Sequence, residues 1–121
     1  MLQVEVYLGP SRIHGIGVFT KDLLLPGQIV NVEQWPDTLF LEHEIPDHLR
    51  KYAYKLRSGL WLLPCDDLRF LNYSFHPNLV SGDNTDLAIC RIEPGTELTI
   101  NYYDFDYDVE EKLKGEIKYA T

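Results

Sequence analysis

The sequence predicts a mainly β domain built from short strands, with one or two short helices. Three observations carry this expectation. Apolar and polar residues alternate near the N-terminus, β-branched runs follow Pro-Gly turns, and one central stretch changes period from two toward four. With 121 residues the chain fits a single domain, taken as residues 1–121. A domain of that size buries roughly two-thirds of its unfolded surface, enough for a core without disulfides.

LQVEVYL places Leu2, Val4, Val6 and Leu8 on one face and reads as a strand. SRIHGIGVFTKD follows, with glycines at 15 and 17. LLLPGQIVNVEQW has a Pro-Gly turn before Ile29, Val30 and Val32, which suggests a second hairpin. Over 44–60, Ile45, Leu49, Tyr52, Ala53 and Leu56 recur at helical spacing; Pro46 suits a first turn and Gly59 a stop, so a helix is expected. WLLPCDDLRFLNYS returns to short apolar runs, and DLAICRIEPGTELTINYY holds two strand-like runs about Glu93-Pro94-Gly95. The tail DVEEKLKGEIKYAT fits a short amphipathic helix weakened by Gly115. Neither an internal repeat nor a low-complexity linker is visible.

A net charge of −8 disfavours direct binding of nucleic acid, which needs Lys and Arg to displace counterions from phosphates. It favours basic partners. No run approaches the ~20 apolar residues of a membrane span. MLQVEVYLGP lacks a basic leader, so no signal peptide is expected. Cys65 and Cys90 suit a reducing compartment. A cytoplasmic protein is expected, with the nucleus or a host cell open if the source is a virus or pathogen.

Several motifs fail on spacing. In HEIPDH the histidines His43 and His48 lie five apart, not four, so they would not share the helical face that a zinc protease needs. Asp104, Asp106 and Asp108 open like a calcium loop, but Val109 and Gly115 stand where glycine and a bidentate glutamate are required. Ser74 has no hydrolase elbow around it, and Gly15-x-Gly17 lacks the third glycine of a dinucleotide fingerprint. No metal is expected.

Three segments gain weight when read in order: HGIGVF at 14–19, RFLNYSFHPN at 69–78 and GTELTINY at 95–102. Together they resemble the SET-domain protein lysine methyltransferases, whose signatures read roughly HGxGVF, RFxNHSxxPN and GEELTxxY. The resemblance covers nearly the whole chain and puts residues 38–62 in the family's variable insert. It implies a fold of small curved β-sheets (a β-clip) with a C-terminal pseudoknot. Such threading is rare, and the strand pattern alone does not suggest it. The pseudoknot would bring the Asn72 loop beside Tyr102.

The resemblance also implies roles. The methyl donor would be S-adenosylmethionine, and the acceptor a lysine of a basic protein such as a histone. Asn72 would bond the donor's methionine or amino end, Tyr73 would contribute mainly backbone contacts near the adenine, and the turn of Gly15, Ile16, Gly17 and Val18 would approach the donor closely, as missing Cβ atoms permit. Ser74, Pro77 and Asn78 would hold the loop's shape. Tyr102 matches the catalytic tyrosine. Trp35, Ile100 and Tyr103, with Tyr52 and Tyr54, are candidates for the substrate channel or an adenine pocket; a place in the core is the competing reading for each. Free lysine has a pKa of about 10.4, and a dry aromatic channel would favour its neutral, reactive form. The acidic run at 104–111 would attract a basic substrate.

The sequence departs from the family at Tyr73, where histidine is usual, and at Phe75, where cysteine is common. Ile100 is aliphatic where many members carry an aromatic. No zinc-binding flanking segments are expected. A non-catalytic SET-like fold that binds a protein or ligand therefore stays open as the alternative. Small viral members dimerise, so the resemblance leaves a homodimer open for this chain.

Overall fold

The structure, a computed structural model, describes residues 1–33, 39–82 and 84–104. Ten short strands are present among them: β1 Val6–Pro10, β2 Ile16–Thr20, β3 Ile29–Val32, β4 Leu39–Phe40, β5 Tyr54–Lys55, β6 Trp61–Leu62, β7 Asn72–Tyr73, β8 Leu79–Ser81, β9 Thr85–Ala88 and β10 Glu97–Ile100. They form three small sheets, ordered β1-β2-β10-β7, β3-β9-β8 and β4-β6-β5. Within these sheets all pairings are antiparallel except β7 with β10. The mainly β expectation holds.

The N-terminal alternation behaves as period two requires. Leu2, Val4 and Val6 pack on the main core, while Gln3, Glu5 and Tyr7 face solvent. The regular strand starts only at Val6, and Leu8 is exposed. Across the β1–β2 hairpin Tyr7 stacks on its register partner Phe19 with ring centroids 5.3 Å apart.

The run after Pro26-Gly27 forms β3, but not a local hairpin. Its partner is β9, more than fifty positions away. Likewise β9 and β10, adjacent in sequence, enter different sheets. A hidden correspondence explains both. Gly27 N donates to Ala88 O and Ala88 N to Gln28 O, while Gly95 N donates to Thr20 O and Thr20 N to Thr96 O. Leu24 and Ile92 exchange both backbone bonds, each 2.9 Å. The matched positions (20 and 88, 24 and 92, 27 and 95, 28 and 96) all stand 68 apart. Strands β2 and β10 thus repeat the pairing of β9 and β3 about a local two-fold. Only Pro-Gly is shared visibly, because both turns need a glycine at positive φ, +84° at Gly27 and +85° at Gly95. The correspondence is one of backbone pairing and leaves no repeat in the sequence itself.

The main core lies on that axis. Val18, Leu24, Val30, Leu79, Ala88, Ile92, Leu98 and Ile100 form it. Leu24 with Ile92 and Val30 with Leu98 are again positions 68 apart, all four fully or almost fully buried. Each such side chain contributes about 1.5–3 kcal/mol by burial.

The helix expected over 44–60 does not form. Asp47–Tyr52 is a short 3₁₀ helix, Ala53 is extended, and Tyr54–Lys55 is a strand. Pro46 caps the turn, and Leu49, Tyr52 and Ala53 pack with Ile45, Leu63 and Phe40 around buried Trp61. One 3₁₀ turn already brings these residues onto Trp61, and the β-favouring Tyr54 then pairs with β6. Gly59, at φ +91°, makes the β5–β6 turn. The tail helix and the acidic run beyond Asp104 lie outside the described residues, as does the segment whose threading would define a pseudoknot. No helix among the described residues is long and apolar enough to cross a membrane.

Candidate functional site

The 72–78 loop lies along β10. Strand β7 pairs in parallel with it, Asn72 opposite Thr99 and Tyr73 opposite Ile100. Past the end of β7, side chains continue the ladder. Asn78 Nδ2 donates to Glu97 O (2.8 Å), and Asn78 Oδ1 accepts from Thr99 N (2.8 Å). Ser74 N donates to Ile100 O, and Ser74 Oγ accepts from His76 N (3.0 Å). Short polar side chains are dense here because they satisfy strand backbone that has no neighbouring strand.

The glycine turn is held from the other side. Asn72 Nδ2 reaches His14 O (3.0 Å), Ile16 O (3.1 Å) and Glu97 Oε2 (3.0 Å). Gly15 has φ +48°, and a Cβ there would meet open space. Gly17 differs: a Cβ would lie 2.4 Å from Glu97 Oε2. Gly17→Ala is therefore expected to lower stability by about 1–3 kcal/mol, measured as a reduced urea midpoint. Gly15→Ser, limited by its φ alone, should cost less.

Two cavities meet near Tyr102. One, about 250 Å³, is lined by His14, Gly15, Ile16, Phe70, Leu71 and Asn72 together with Lys51, Tyr52, Arg69 and Tyr102. The other, about 300 Å³, includes Asn31, Glu33, Tyr54, Ser81, Asp86 and Ile100 in its lining. Lys51, Tyr52, Arg69, Leu71 and Tyr102 line both and form the partition. Lys51 and Arg69 lie against the Tyr52 ring, at 5.0 and 5.9 Å from its centroid. Tyr102 Oη donates to Leu71 O at 2.6 Å.

The structure thus brings Gly15, Ile16, Asn72 and Tyr102 to one cavity, and Ile100, Tyr54 and Tyr102 to the other. Val18 is fully buried in the main core, and Gly17 lies under Glu97. Tyr73 is buried against Tyr102 (5.5 Å between centroids) and Phe75 (5.2 Å), and burial pushes its phenol up. Tyr103 is exposed, 6.4 Å from the Tyr73 ring. Trp35 lies outside the described residues.

Sequence reasoning missed Glu33 and Asp86. Burial pushes both carboxyls up; Tyr54 Oη donating to Glu33 (2.9 Å) and Asn31 Nδ2 donating to Asp86 (2.9 Å) offset part of this. An acidic residue ending the apolar run IVNVE, and another inside TDLAI, was the available signal. A carboxyl whose folded pKa is raised contributes stability at low pH and loses it as pH rises through that folded value. Relative to Glu33→Gln/Asp86→Asn, the wild type is therefore expected to lose more stability between pH 4 and pH 8, read from urea midpoints across that range.

The first cavity suits S-adenosylmethionine. The open Cβ direction at Gly15 lets backbone approach a ligand, Lys51 and Arg69 complement an amino-acid carboxylate, and Tyr52 and Phe70 offer aromatic surface.

No family model matches the chain, and no curated protein matches it. Solved structures do. A Plasmodium falciparum protein described as a candidate histone methyltransferase aligns with TM-score 0.63 at 25% identity, over 84% of this chain and 95% of that one. ctPRC2 in an autoinhibited conformation bound to S-adenosylmethionine aligns with TM-score 0.68 at 23% identity, over 95% of this chain. A humanized mutant of the Chaetomium thermophilum Polycomb Repressive Complex 2 bound to an inhibitor gives TM-score 0.67 at 23% identity, over 89% of this chain. The alignments span 17% and 16% of those two longer chains. The chain has a SET-like methyltransferase fold.

Proposed function

We propose that this domain transfers a methyl group from S-adenosylmethionine to the side-chain amine of a lysine in a basic protein such as a histone. One observation carries the reading: Tyr102 stands in the partition between a cavity beside the glycine turn and a cavity with carboxylates. The names of the structural neighbours, one a candidate histone methyltransferase and one bound to S-adenosylmethionine, support the donor and the acceptor class.

Bound in the first cavity, the donor supplies an electrophilic methyl group on a sulfonium. The chain's own residues do the rest by position. The peptide groups of the Gly15 turn, with Lys51 and Arg69, orient the donor. Tyr102, whose Oη is fixed by its hydrogen bond to Leu71 O, lines both cavities and would orient the incoming amine between them. In the second cavity Glu33 and Asp86 stand apart from the Lys51 and Arg69 of the shared partition and would face a cationic side chain entering there. Burial raises both carboxyls above the ordinary carboxylate range; the lysine reacts as its neutral amine, with its proton lost to solvent. Methyl transfer then moves a positive charge from sulfur to nitrogen without creating one.

The test is incubation of the purified protein with labelled S-adenosylmethionine and a panel of histones and other basic proteins. Label on lysine supports the reading. Donor binding without transfer to any panel member would favour a binding-only domain, and absence of donor binding would sink the proposal.

A further inference from the structure

We infer that Glu97 is the positioning residue of the donor site, acting through Ser11 and Asn72. This rests on the proposed donor cavity and extends it to a residue outside the cavity's lining.

The geometry is a three-way latch. Ser11 Oγ donates to the Glu97 carboxylate, 2.9 Å from Oε1 and 2.8 Å from Oε2. Ser11 Oγ also accepts from Ile13 N (2.9 Å) and His14 N (3.3 Å), which fixes the near end of the turn. Ser11 N donates to Gly15 O (2.8 Å). From below, Asn72 Nδ2 reaches the carboxylate and the carbonyls of His14 and Ile16. An amide nitrogen has two hydrogens, so these three acceptors leave it nothing to give a ligand. Asn72 therefore shapes the turn, and the carboxylate sets where Asn72 Nδ2 sits.

Two features make Glu97 the centre of the latch. Its backbone is fixed in β10 opposite Phe19 of β2, so its side chain crosses to the turn from a rigid strand. Gly17 leaves the space its carboxylate occupies. Without that charge, the Ser11 hydroxyl and the Asn72 amide lose their common acceptor, and the Gly15 backbone loses the curvature that faces the donor.

The experiment compares wild type, Glu97→Gln, Glu97→Ala and Ser11→Ala by calorimetric titration with S-adenosylmethionine, and by steady-state kinetics varying donor and acceptor separately. Charged hydrogen bonds of this kind predict a roughly ten- to hundredfold weaker donor Kd for Glu97→Ala. Glu97→Gln, keeping one acceptor oxygen, should fall between it and wild type, and Ser11→Ala should show a smaller rise in the same direction. The acceptor KM should stay within about twofold, since weakened donor binding alone is at stake. Donor Kd unchanged in Glu97→Ala, or in Ser11→Ala if the former does not fold, overturns the inference. So does an equal rise in donor and acceptor KM, which would mark a distortion of the whole site and not of the donor turn. A wild type that fails to bind the donor would instead overturn the proposed function.

Discussion

Tyr102→Phe is expected to lower methyl transfer at least about hundredfold while donor Kd changes less than about threefold. The ring remains, so its packing against Tyr73 persists. Only the hydroxyl goes, and with it the bond to Leu71 O, a loss of about 1 kcal/mol in stability. A pure packing role would leave the rate near wild type. Single-turnover transfer on the acceptor found in the panel, beside donor titration, separates the two. A variant that transfers at wild-type rate would remove Tyr102 from the chemistry.

Asn78→Ala should produce the largest stability loss from one polar side chain, about 2–3 kcal/mol. Its amide serves two backbone groups of β10 at once, Glu97 O and Thr99 N, both at 2.8 Å. Removing it leaves a carbonyl and an N–H on a core strand without partners, beside the fully buried Leu98. Asn78→Asp keeps the acceptor for Thr99 N and loses the donor, so it should lie between. Urea denaturation at constant m-value measures both. Because Asn78 also ties the loop that begins at Asn72, the alanine variant should weaken donor binding in parallel. Equal midpoints for Asn78→Ala and wild type would show that water satisfies these groups.

The sequence by itself determined the strand-rich class, the Pro-Gly turns, the alternation at Leu2, Val4 and Val6, and the order of the three polar motifs. These are local signals: period two, positive φ at glycine, and dense short polar side chains. The helix over 44–60 was misread because its spacing was set by packing around Trp61, and a 3₁₀ turn followed by a strand meets the same constraint. Strand partners were not legible either. β3 pairs with β9 across the chain, and the 68-residue correspondence leaves only Pro-Gly in the sequence, since buried apolar residues at matched positions need only similar size.

The site divides the same way. Tyr102, Asn72 and the glycine turn stood out as residue types in an order, but what Asn72 touches did not. That depends on Glu97 reaching across from β10 into the space above Gly17. Glu33 and Asp86, 53 positions apart, became a pair only when β3 and β9 came together. Hydrogen bonds and desolvation act over a few ångströms, and only the folded chain decides which distant residues come that close.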